Sequence, residues 1–124
     1  MKTILFIEDE SALQKTLGDV LKQEGFAVIS ALDGEKGIQM AKEGSPDLIL
    51  LDLMLPKQNG FDVLKSLKAD EKTKDIPVIV LTNLEAMEDI QKVLELGATT
   101  YLVKASYSVE EVVQKAKHAL NLAE

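Results

Sequence analysis

Pro46-Asp47-Leu48-Ile49-Leu50-Leu51-Asp52 is the stretch from which the fold can be read. Four large apolar residues stand side by side, with an acid on either flank and no alternation among them. A strand with one wet face would alternate polar and apolar residues, because successive side chains point to opposite sides. An unbroken aliphatic run instead reads as a strand covered on both faces, as in a parallel sheet sandwiched between helices. Further runs of this kind lie at Thr3–Ile7, Phe26–Ala31, Val78–Leu81 and Thr100–Val103. Between them the apolar spacing becomes helical: Leu13, Leu17, Val20 and Leu21; Ile90, Val93, Leu94 and Gly97; Val109, Val112, Val113, Ala116 and Leu120. Strands alternating with helices through right-handed crossovers predict an α/β fold of the (βα)5 type, an open, doubly wound parallel sheet.

Local punctuation agrees with this division. Gly25, Gly44 and Gly97 each follow a helical segment, where a left-handed cap favours a residue without Cβ. Ser11 with Gln14, and Ser108 with Glu111, have the spacing of a capping box at a helix start. Met40 and Met87 read as core or rim filler.

The 124 residues suit one domain, taken as 1–124, with enough apolar content for a core without staples. There is no cysteine, which excludes thiol chemistry, zinc–thiolate sites and disulfides. A net charge of −7, from 21 acidic and 14 basic residues, argues against direct nucleic-acid binding, where a basic face supplies most of the affinity. No apolar run is long enough for a signal-peptide core or a membrane span, so a cytoplasmic protein without a membrane partner is the plain expectation.

In such a sheet, ligands bind beyond the carboxyl ends of the strands. The residues just after each run are therefore the ones to inspect. Glu8 and Asp9 follow the first, Asp52 the third, Thr82 the fourth and Lys104 the fifth; the second leads only into the turn Leu32-Asp33-Gly34. Carboxylates gathered on one rim repel by about 4 kcal/mol per pair at ~4 Å and an effective dielectric near ~20. One lysine does not offset three acids, and a hard divalent ion in an open, water-retaining site does, which suits Mg²⁺. A carboxylate beside such an ion, with a hydroxyl and an ammonium at hand, suits in-line phosphoryl transfer to the carboxylate.

These residues carry a resemblance. Ile4-Leu5-Phe6-Ile7-Glu8-Asp9-Glu10, Pro46 to Asp52, Met54-Leu55-Pro56 with Asn59-Gly60, Pro77 to Thr82, and Gly97-Ala98 through Tyr101 to Lys104 together resemble the receiver domain of two-component response regulators, including the single-domain chemotaxis regulator. The match runs the length of the chain. It implies strand order 2-1-3-4-5 and a phosphoacceptor switch, not an enzyme with turnover, that promotes its own phosphorylation and dephosphorylation. It implies Asp52 as acceptor, with Mg²⁺ held by Asp9, Asp52 and the Met54 backbone carbonyl, and by Glu8 through water. Thr82, Lys104 and Asn83 would lie against the phosphoryl group, and Thr82 and Tyr101 would act as the switch. Phosphorylation would then shift the fourth helix, fifth strand and fifth helix, about 85–97 and 99–122. The implied partners are a histidine kinase or phosphotransfer protein and a downstream effector or fused output domain, and the sequence is compatible with a homodimer through helices four and five.

The chain departs from the family pattern in two places. Lys104 is followed by Ala105 where the family has a proline after a cis bond; cis before a non-proline costs about 3 kcal/mol, so a trans bond and a rearranged Lys104–Ser108 loop are expected. Asn83 stands where the family prefers a small residue. Met54 and Leu84 fall at positions which, by resemblance, flank the water that attacks the acyl phosphate, and neither can orient water. A long-lived phosphoryl group is expected.

Blander readings exist for each position. Glu8 and Asp9 suit a helix N-terminus as plain anions, Asp52 a turn, Thr82 a strand end, Lys104 a wet surface and Tyr101 a half-buried strand; His118 reads as a solvated last-turn residue. Among other functions, a flavodoxin-type carrier would need a phosphate cradle where Glu8-Asp9-Glu10 repels one. A haloacid-dehalogenase-type phosphatase would need an Asp-x-Asp pair after the first strand. An unphosphorylated, receiver-like interaction module is the nearer rival, although its acid set would be broken and this one is whole.

Overall fold

A computed structural model describes residues 1–120. Five strands, β1 (Thr3–Ile7), β2 (Ala27–Ala31), β3 (Leu48–Leu51), β4 (Val78–Thr82) and β5 (Thr100–Val103), alternate with helices α1 (Ser11–Gln23), α2 (Gly34–Gly44), α3 (Gly60–Ala69), α4 (Met87–Glu95) and α5 (Val109–Ala119). They form one parallel sheet in the order β2-β1-β3-β4-β5, as expected. Of the expected mobile surface, 121 and 122 lie outside the described residues.

The unbroken apolar runs of β1, β3 and β4 have the predicted cause, whereas the edge strands β2 and β5 are only partly covered. Every residue of β3 is buried, and alternate residues serve opposite cores. Leu5, Ile7, Ile49, Leu51, Val78 and Val80 pack under α3 and α4 with Val63, Leu64, Leu67 and Val93. Ile4, Phe6, Leu48, Leu50, Ile79 and Leu81 pack on the other side against Leu17 and Leu21 of α1 and Val112, Val113 and Ala116 of α5. Burying one such side chain contributes about 2 kcal/mol, so the two cores hold the strand tips in fixed relation.

Several local expectations need correcting. Gly25 (φ 96°) and Gly97 (φ 107°) do take the left-handed conformation. Gly44 does not: it is the last residue of α2, and Ser45 (φ 43°) carries the turn. The Ser108–Glu111 capping box forms in full. The Ser11–Gln14 box does not, because Glu10 is the N-cap, Ser11 is already helical, and Gln14 is drawn inward to other acceptors. Met40 packs on the core, whereas Met87 is 68% and Leu94 46% exposed on α4. Phe26 precedes β2, and Thr82 is the last residue of β4.

Candidate functional site

At the carboxyl edge of the sheet, β1 and β3 are neighbours, and their continuations carry the acids. The backbone N–H of Asp52 donates to Ile7 O at 3.0 Å, which extends the ladder by one step and sets Asp52 beside Glu8. Glu8, Asp9 and Asp52 each offer an oxygen within 4.8 Å of the others. Glu8 and Asp52 are buried, and Asp9 faces solvent. The loop after Asp52 must turn sharply, and Gly60 permits it. A Cβ there would lie 2.2 Å from the Leu53 Cα, so no other residue fits without moving backbone. Asn59 caps α3 behind that turn, its side chain accepting from Asp62 N–H at 3.0 Å.

Lys104 arrives from the end of the edge strand β5. Its Nζ donates to Asp52 Oδ2 at 3.0 Å and lies 2.7 Å from Glu8 Oε1. The second contact pairs charges without hydrogen-bond alignment, leaving Glu8 Oε1 without a hydrogen-bond partner among the described residues. The Lys104–Ala105 bond is trans, since no cis peptide occurs among the described residues, and Lys104–Ser106 forms a single 3₁₀ turn. The ammonium thus reaches its acids without the family's proline. Asp52 Oδ1 accepts from Met54 N–H at 3.1 Å, and Glu8 Oε2 from Glu10 N–H at 3.1 Å.

The electrostatics follow from this packing. Burial pushes the Glu8 carboxyl up to about 7; Lys104 pulls against this and the Asp52 charge adds to it. Burial disfavours the Lys104 ammonium, but the carboxylates of Glu8 and Asp52 against it outweigh that and hold it above the ordinary lysine value. Three carboxylates against one ammonium leave an excess of negative charge on hard oxygen donors, a set that fits a divalent cation.

Thr82 is fully buried, and its Oγ1 has no partner among the described residues. Tyr101 is half-buried against the α3–α4 core, and its hydroxyl donates to Leu84 O at 2.6 Å. Burial pushes the Tyr101 phenol up, with smaller contributions from Asp89 and Asp52. Asn83 and Met54 are exposed at the rim, and His118 is exposed on α5 as expected. Sequence reasoning missed Gln14. It is buried, and its Nε2 donates to the carbonyls of Phe6 (2.8 Å), Glu8 (3.1 Å) and Ala31 (3.2 Å). The signal available was an amide among the apolar residues of the first helical stripe.

A doubly wound sheet whose carboxyl edge gathers three acids and a lysine is the architecture of a phosphorylation-controlled signalling switch. The chain belongs to the response regulator receiver domain family, whose model matches residues 4–117. It is similar to the DNA-binding dual master transcriptional regulator RpaA of Synechocystis sp., at 42% identity over 97% of this chain and 49% of RpaA. Among solved structures it is similar to Mn²⁺-bound response regulator Rcp1, at 33% identity and TM-score 0.80 over 94% of this chain and 92% of Rcp1. It is also similar to the receiver domain of sensor histidine kinase PA1611 from Pseudomonas aeruginosa PAO1, at 26% identity and TM-score 0.87 over 97% and 98% of the two chains; that structure has a magnesium ion in its active site cleft. No helix among the described residues is long and apolar enough to cross a membrane.

Proposed function

We propose that Asp52 is the phosphoryl acceptor of this receiver and that Mg²⁺ is its metal, held by Asp9, Asp52 and the Met54 backbone carbonyl, with Glu8 acting through water. The observation that carries this reading is the convergence of the three carboxylates within 4.8 Å, with Lys104 against two of them. Bound there, the cation would supply charge neutralisation for the incoming phosphoryl oxygens. A carboxylate oxygen of Asp52 forms the new O–P bond while the donor's N–P or O–P bond breaks, and the donor leaves with the electron pair. Lys104 is placed to balance charge on the transferred group. Thr82, whose buried hydroxyl has no partner among the described residues, would turn to hydrogen-bond it. Tyr101 would follow inward, altering α4, β5 and α5. Asn83 would border the entry.

The donor is a histidine kinase, a phosphotransfer protein or a small phosphodonor, acting in the cytoplasm, and the domain promotes both its own phosphorylation and its own dephosphorylation. The receiver is one domain, 1–124, but the chain spans about half the length of RpaA. The response is read by an effector or a linked output domain, with a homodimer through α4 and α5 as one route.

Incubation with Mg²⁺ and an acyl phosphate or phosphoramidate, read by intact mass, tests the reading. One added phosphate is expected, absent in Asp52→Asn and absent in EDTA. An unmodified wild-type protein overturns it.

A further inference from the structure

We propose that Gln14 is a positioning residue for the metal pocket, acting through the backbone that aims Asp9. The inference rests on reading Glu8, Asp9 and Asp52 as metal-binding groups. Asp9 is exposed, and its side chain has no hydrogen bond or ion pair among the described residues. The two peptide planes that flank it set where its Cα–Cβ bond leaves the backbone, and so which positions its carboxylate can reach. Both planes are held. The Asp9–Glu10 plane is fixed where Glu10 N–H donates to Glu8 Oε2 at 3.1 Å. The Glu8–Asp9 plane is fixed where Glu8 O accepts from the Gln14 side chain at 3.1 Å.

Gln14 is suited to that task. It is 7% exposed, one turn into α1, and its amide reaches back to the end of the β1–β2 ladder. There it meets three carbonyl oxygens, those of Phe6, Glu8 and Ala31, at 2.8, 3.1 and 3.2 Å. Ala31 O also accepts from Glu8 N–H at 2.9 Å, so both ends of the Glu8 backbone are tied to one spot. The amide orientation is forced: turned over, its oxygen would face three carbonyl oxygens with no proton among them. The cost of the arrangement is visible in Gln14 Oε1, which is buried without a partner among the described residues. A buried polar group left unpaired on one side is explained by what its other side holds.

Partners behind a metal site change affinity about tenfold or more when removed. Gln14→Met keeps length and apolar bulk and removes both N–H donors. In a calorimetric Mg²⁺ titration this variant is expected to bind about tenfold more weakly than wild type, while its melt in EDTA stays cooperative. The distinguishing measurement is a double-mutant cycle with Asp9→Asn, followed by NMR-detected Mg²⁺ titration. If Gln14 acts through Asp9, its loss changes affinity little once Asp9 is neutralised. Equal Mg²⁺ affinity in wild type and Gln14→Met, or the same tenfold loss in the Asp9→Asn background, overturns the inference. Should Gln14→Met not fold, Gln14→Asn withdraws the amide by one methylene and enters the same cycle with the same expected outcomes. Wild-type protein that binds no Mg²⁺ would instead overturn the reading of the site.

Discussion

Thr82 carries the sharpest consequence at the scale of single residues. A buried hydroxyl without a partner costs roughly 1–3 kcal/mol, and valine has nearly the same shape. Thr82→Val is therefore expected to raise the stability of the unphosphorylated domain by about 1 kcal/mol in urea denaturation. The same variant should lose the change in melting temperature that phosphorylation gives the wild type. A loss of stability in Thr82→Val would mean that the hydroxyl is satisfied in solution. Met54, 55% exposed beside Asp52, supports a second prediction. Its thioether cannot orient an attacking water, so Met54→Asn should shorten the lifetime of the phosphoryl group, measured by decay of the added mass. An unchanged or longer lifetime counts against this.

At the scale of elements, α5 is the helix whose start was legible. Ser108 and Glu111 exchange hydrogen bonds at 3.2 and 2.9 Å, and Ser108→Ala should cost about 1 kcal/mol in the same denaturation assay. The central strands were equally legible, because burial on both faces leaves no position for a polar residue within Leu48–Leu51. What escaped sequence reading depends on distant chain. Gln14 fits the local pattern of a capping box, yet its acceptors include Ala31, 17 residues away on β2. Nothing in local spacing encodes that. The helical stripe on α4 was over-read for a related reason. Val93 alone is buried there, and Leu94 turns to solvent. The acids Glu8, Asp9 and Asp52 could be found because topology alone brings adjacent strand tips together. Which of them would be buried, and that Lys104 would reach two of them, required side-chain packing.

For the molecule as a whole, the buried acid links protonation to folding. Burial raises the Glu8 carboxyl to about 7, against an ordinary value of 4.5. Between these values the folded chain keeps a proton that the unfolded chain has released, so stability falls as pH rises through that window and levels off above it. The full drop is about 3 kcal/mol at about 1.4 kcal/mol per unit. Urea denaturation in EDTA from pH 4.5 to 8 should show this slope, and Glu8→Gln should flatten it. Mg²⁺ acts in the opposite sense. At a hundredfold excess over its dissociation constant it should add about 2.7 kcal/mol at neutral pH, removed again by EDTA.

The salt link from Lys104 to both Glu8 and Asp52 means that the cleft carries a counter-ion of its own. Part of the repulsion among the acids is thus offset by a side chain of the same chain. On the proposed reading of the site, a bound cation would share that neutralising work with the ammonium. The lysine stands on a short 3₁₀ turn with its ammonium against Asp52, so an anion that met this carboxylate would meet a fixed positive charge beside it.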